Sequence, residues 1–99
     1  MEKMQPKIVQ GSSITLEEAV MELLPETGSV EVQRDTPGRE HPTHTHPTDE
    51  ILLIVSGDIT FTVGSEQNHC TSGDRLYLPK GTEHASIAGE GGCLYIILK

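Results

Sequence analysis

From residue 29 onward the apolar residues never fall at helical spacing, and this limits what the chain can fold into more than any other feature. Short apolar stretches, Ile51 to Val55, Ile59 to Val63, Arg75 to Leu78 and Leu94 to Leu98, are separated by turn signals. These signals lie at Ser56, Gly57 and Asp58, at Thr71 to Asp74, and at Gly89 to Gly92. Such punctuation predicts an all-β sandwich or barrel. Gly57 can take the positive φ of a tight turn, so Ser56 to Asp58 reads as a hairpin. Ser29 to Asp35 alternates Val30 and Val32 with Glu31 and Gln33 and reads as a half-buried strand.

Before that point a single helix is expected. Thr15 followed by Glu18 forms a capping-box pattern, and Leu16, Ala19, Val20, Leu23 and Leu24 then recur at helical spacing until Pro25 stops the run. The predicted helix covers residues 16 to 24 and buries its leucine stripe on the outside of the sheet structure or at a dimer contact.

At 99 residues the chain supports one core and one domain. Seven Lys plus Arg against fifteen Asp plus Glu, a net charge of -8, repels phosphate, so neither nucleic acid nor anionic membrane is an expected partner. No apolar run approaches the roughly 20 residues of a membrane helix, and Met1 to Met4 leads into no signal-peptide core. The expected location is the cytoplasm. Cys70 and Cys93 form neither a CxxC pair nor a disulfide framework and read as two free thiols.

Five histidines need an account, because His41, His44 and His46 fall within six positions and Glu50 follows. On a strand, residues two apart face one side, so His44 and His46 can aim at one point that His41 does not easily join. Pro47 to Asp49 interrupts the strand, and a turn there lets the Glu50 carboxylate return to the same interior, with His84 arriving from a distant strand. Three neutral imidazoles and a carboxylate suit one divalent transition metal, Fe, Mn, Ni, Zn or Cu, and not Ca or Mg. On spacing alone, a solvated Thr- and Pro-rich loop is the plainer reading, since an isolated His-x-His is a weak signal.

A longer pattern changes that balance. Gly38, His44, His46, Glu50 and Gly57 match Gly-x5-His-x-His-x3-Glu-x6-Gly at every position. Gly73, Pro79, Gly81 and His84 match Gly-x5-Pro-x-Gly-x2-His-x3-Asn up to its last place, where this chain has Ala88. These are the two motifs of the cupin superfamily, and the chain resembles its small single-domain microbial members over residues 38 to 88. The resemblance implies a double-stranded β-helix, a jelly-roll barrel over residues 29 to 99, with residues 1 to 28 as an extension carrying the short helix. It also implies His44, His46, Glu50 and His84 as metal ligands, and a homodimer.

The rest of the pocket follows from strand parity. Leu52 and Ile54 share the face of Glu50, Ser86 shares that of His84, and Leu76 with Leu78 turn inward in preference to Arg75 and Tyr77. The walls are therefore expected to be mostly apolar. Arg39 and His41 near the mouth, and Tyr77 or Tyr95 as phenols, are candidates for ligand contacts, with surface placement favoured for each. Cys93 and Tyr95 fall two apart and can share a face, whereas His69 and Cys70 are adjacent and point apart. Two function classes fit: a metal-dependent enzyme, dioxygenase-like or acting by Lewis-acid chemistry on a small chelating substrate, or a non-catalytic metal or ligand sensing module. No acid or base beyond the ligands is assigned.

Overall fold

A computed structural model describes residues 6–24 and 29–99. Its elements are β1 (Lys7–Val9), α1 (Leu16–Leu23), β2 (Val30–Asp35), β3 (Glu40–His44), β4 (Glu50–Val63), β5 (Glu66–Thr71), β6 (Arg75–Leu78) and β7 (His84–Leu98). All pairings are antiparallel, in the order β1-β6-β4-β7-β2, with β3 on β7 and β5 on β4.

The helix begins as expected. Thr15 Oγ1 accepts from the Glu18 N–H at 3.2 Å, and the Glu18 carboxylate accepts from the Thr15 N–H at 3.1 Å. Its buried side is narrower than the leucine stripe suggests: Ala19 and Leu23 pack on Leu53, Val55 and Ile96, while Leu16 and Leu24 are exposed. The stop assigned to Pro25 lies outside the described residues. Arg75 on β6 pairs with Glu22 and ties α1 to the sheet.

Two expected turns are not turns. Ser56, Gly57 and Asp58 lie inside β4, which runs unbroken from Glu50 to Val63, and Gly89 to Gly92 lie inside β7. Where a hairpin was predicted, the β4–β7 register shifts between Ile54 and Ser56 and again between Gly57 and Ile59. These are bulges at which both long strands bend together. Gly57 does take positive φ, 77°, but the reason is close approach: a Cβ there would lie 2.1 Å from the Gly92 carbonyl oxygen. The hairpin in this region instead joins β4 to β5 at Gly64 and Ser65. The turn at Thr71 to Asp74 is present, with the buried Asp74 carboxylate accepting from the Thr71 N–H at 2.8 Å and the Gly11 N–H at 3.1 Å.

Strand parity, reset across the two bulges, sorts the long β4 into two cores. Leu52, Ile54, Ile59 and Phe61 enter the barrel interior with Leu76, Leu78 and Tyr95, while Leu53 and Val55 face outward beneath α1. Each fully buried aliphatic side chain contributes about 1.5–3 kcal/mol, so both faces of β4 stabilise the fold. Leu76 and Leu78 point inward as expected, leaving Tyr77 on the outer side with the Lys7 ammonium 5.3 Å from its ring centre. β2 has the opposite sense from its valines. Val32 is 55% exposed, while Gln33 and the fully buried Asp35 turn inward.

Candidate metal centre

The two ends of the sequence motifs converge on one cavity of about 190 Å³, lined by His44, His46, Glu50 and His84 among others. His44 closes β3 directly opposite His84, the first residue of β7. His46 lies two residues past β3, and its carbonyl accepts from the Gly81 N–H at 2.9 Å, which fastens that loop to the turn after Pro79. Glu50 opens β4 opposite Leu78 and is 6% exposed.

Ligand nitrogens of His44, His46 and His84 all lie within 4.8 Å of one another, and the ring centres are 4.3 to 5.2 Å apart. Glu50 stands just outside this group, its carboxylate oxygen 3.7 Å from His46 Nδ1. Hydrogen bonds fix two tautomers. The Pro42 carbonyl accepts from His44 Nδ1 at 2.6 Å and the Thr82 carbonyl from His84 Nδ1 at 3.0 Å. A carbonyl only accepts, so each ring donates from Nδ1, and Nε2 is the nitrogen left available to a metal. Anchoring one ring nitrogen to orient the other is how metal-binding histidines are held. Burial pushes the His84 pKa below 6.5, and the nearby His44 and His46 add to that, against the opposing Thr82 carbonyl. His84 is therefore neutral at pH 7, the state a metal requires. Imidazole nitrogens with an adjacent carboxylate fit a borderline divalent transition metal.

The remaining predicted residues divide. Leu52 and Ser86 line the cavity as parity implied, and Arg39 is exposed. His41 and Tyr95, for which surface placement was favoured, line it too. A register shift between His41 and His44 breaks the strand parity that would have turned His41 away. The wall is apolar where Leu52, Phe61 and Ile97 form it, but β2 contributes Glu31 and Gln33, a polar side that the sequence did not reveal. Behind that side, Asp35 accepts from Gln33 Nε2 at 3.0 Å, from His41 Nε2 at 3.0 Å and from the Tyr95 hydroxyl at 3.0 Å. Burial alone would raise the Asp35 pKa, but these hydrogen bonds outweigh it and hold the carboxyl below its ordinary value. Burial and the adjacent carboxylate push Tyr95 well above the usual phenol range. Cys70 and Cys93 are free and buried, and burial raises their thiols to about 11 and about 12. His69 is a surface residue, as expected, hydrogen-bonded to Asp58 at 2.7 Å.

Residues 31–96 match the cupin domain family. The chain belongs to the cupin family. Among solved structures, this cupin is similar to KdgF from Halomonas sp., at 24% identity over 77% of this chain and 73% of that one, with a TM-score of 0.65. It is similar to a cupin-2 domain containing protein from Shewanella frigidimarina, at 24% identity over 78% and 76% of the two chains, with a TM-score of 0.63. DMSP lyase DddQ from Ruegeria pomeroyi matches at 27% identity and a TM-score of 0.66, over 70% of this cupin but 36% of that chain. No curated protein matches the sequence. The rolled antiparallel sheet is the double-stranded β-helix of the family, with α1 laid on its outside.

Proposed function

We propose that this cupin is a metal-dependent enzyme in which His44, His46, Glu50 and His84 hold one divalent transition metal and a small chelating organic molecule is the substrate. The convergence of three imidazoles within 4.8 Å on a cavity wall that also carries Glu50 supports the reading. A bound ion supplies Lewis-acid chemistry or, with iron, manganese, nickel or copper, redox chemistry. The protein orients Nε2 of His44 and His84 through backbone carbonyls. A cavity of about 190 Å³ is smaller than the 300–1,000 Å³ usual for drug-sized ligands, which limits the substrate to a small molecule. That one similar structure is of a DMSP lyase supports an enzymatic reading.

Product analysis by NMR tests this. The chain is loaded in turn with iron, manganese, nickel or zinc and incubated with 2-oxo acids, diketones, catechols and thiols. Metal-dependent conversion of at least one class is expected. Binding without conversion across the whole panel replaces the enzyme with a ligand-sensing module.

The same reading includes a homodimer. Val32 is apolar and exposed on the edge strand β2, an edge that a second copy can cover. Sedimentation at micromolar concentration is expected to give twice the chain mass, and a monomer refutes the dimer. Two buried free thiols suit a reducing compartment and support a cytoplasmic setting.

A further inference from the structure

The cavity contains one base that the metal reading leaves unused. His41 is 27% exposed and lines the same cavity as the histidine cluster, yet it is not one of the three clustered imidazoles. Its ring is held from behind. Nε2 lies 3.0 and 3.1 Å from the two oxygens of Asp35, a carboxylate 1% exposed at the end of β2. The same carboxylate receives Gln33 Nε2 and the Tyr95 hydroxyl, each at 3.0 Å.

Three donors on one carboxylate leave it no role but acceptor, so His41 donates from Nε2, and Nδ1 is the ring nitrogen that Asp35 does not engage. Among the described residues no hydrogen bond reaches that nitrogen. The other groups on this wall are committed. Tyr95 gives its proton to Asp35, Glu31 pairs with Lys99 at 3.2 Å, and Gln33 and Ser86 are not bases at neutral pH.

We propose that His41, oriented by Asp35, is the proton acceptor for a ligand held at the histidine cluster, and that the ligand class is the weakly acidic oxygen chelators. This rests on the metal reading above. The step is a proton transfer: the ligand's O–H bond breaks, an N–H bond forms at His41 Nδ1, and the bonding pair stays on the ligand oxygen as its anionic donor. The imidazolium so formed faces the Asp35 carboxylate, which stays ionised. Asp35 is thus a positioning residue, and its charge compensates the one His41 acquires.

Acetohydroxamic acid is the probe, because it is small and gives up its O–H proton when it chelates. Calorimetric titration of the zinc-loaded full chain at about pH 7.5 is run in two buffers of different ionisation enthalpy. The difference gives the protons released per ligand bound. The unsubstituted chain is expected to release almost none, because His41 keeps the proton. His41→Gln and Asp35→Asn, at unchanged zinc content, are expected to release close to one. Nitrogen NMR of the unsubstituted chain is expected to show His41 Nδ1 becoming protonated as hydroxamate binds, a signature that a merely structural role would not produce. Equal proton release by the unsubstituted chain and His41→Gln overturns the proposal, as does zinc-loaded protein that fails to bind hydroxamate. Parent-like release by Asp35→Asn overturns the part assigned to Asp35. A chain that takes up no zinc overturns this proposal and the metal reading together.

Discussion

His84→Ala, purified without an affinity tag, is expected to bind its transition metal at least about a hundredfold more weakly than the unsubstituted chain. Loss of a residue that merely orients a ligand typically costs about 10–100-fold in affinity, and His84 is itself a proposed ligand. It is 5% exposed, its Nδ1 is tied to the Thr82 carbonyl, and burial keeps it neutral, so its Nε2 needs neither deprotonation nor rearrangement to bind. The substitution leaves two imidazoles and one carboxylate, of which His46 is more than a third exposed. Elemental analysis after dialysis measures the effect. His69→Ala is the control, because that ring pairs with Asp58 on the surface and should leave metal content unchanged. Equal metal in His84→Ala and the unsubstituted chain would remove the site.

Gly57→Ala should be among the most damaging single-methyl changes in the barrel. The residue sits at φ 77°, where a side chain costs about 1–3 kcal/mol in strain, and its Cβ would lie 2.1 Å from the Gly92 carbonyl oxygen. Backbone on both sides of this contact belongs to the paired strands β4 and β7, so the clash cannot be relieved by a side-chain rotation. Gly38 separates the two effects. It has a nearly identical φ of 73° but nothing within 4 Å of a built Cβ, so Gly38→Ala carries the strain alone. Urea denaturation is expected to show Gly57→Ala destabilised by at least about 2 kcal/mol more than Gly38→Ala, a large share of the roughly 5–15 kcal/mol that holds a domain together. Equal losses would mean that the close approach to Gly92 is not what Gly57 is there to permit.

That glycine also shows where sequence reading stops. Gly57 and Gly92 both take positive φ, as turn glycines do, but a bulge that bends a continuous strand asks for the same residue as a hairpin that ends one. Only the pairing of Gly57 with Cys93 across β4 and β7 distinguishes them, and that contact is far apart in sequence. The histidine cluster was legible because its members have fixed spacings within two motifs. His41 was not, because the irregular register between His41 and His44 cancels the two-residue alternation on which its exclusion rested. Asp35 left no local trace either. It lies six residues before His41 and sixty before Tyr95, and its meaning emerges only when β2 is seen to turn its polar side inward.

The β4–β7 ladder carries one more implication. Its rungs run from Ile51 opposite Leu98 to Val63 opposite His84. Glu50 and His84 therefore stand at opposite ends of a ladder that would measure about 40 Å if laid flat, yet both border the same cavity. The ladder is wound back on itself like a bracelet, and the proposed ligands sit where its ends meet. An ion gripped by Glu50 and His84 would act as the clasp, so that opening the barrel anywhere along its circumference would work against the bound ion.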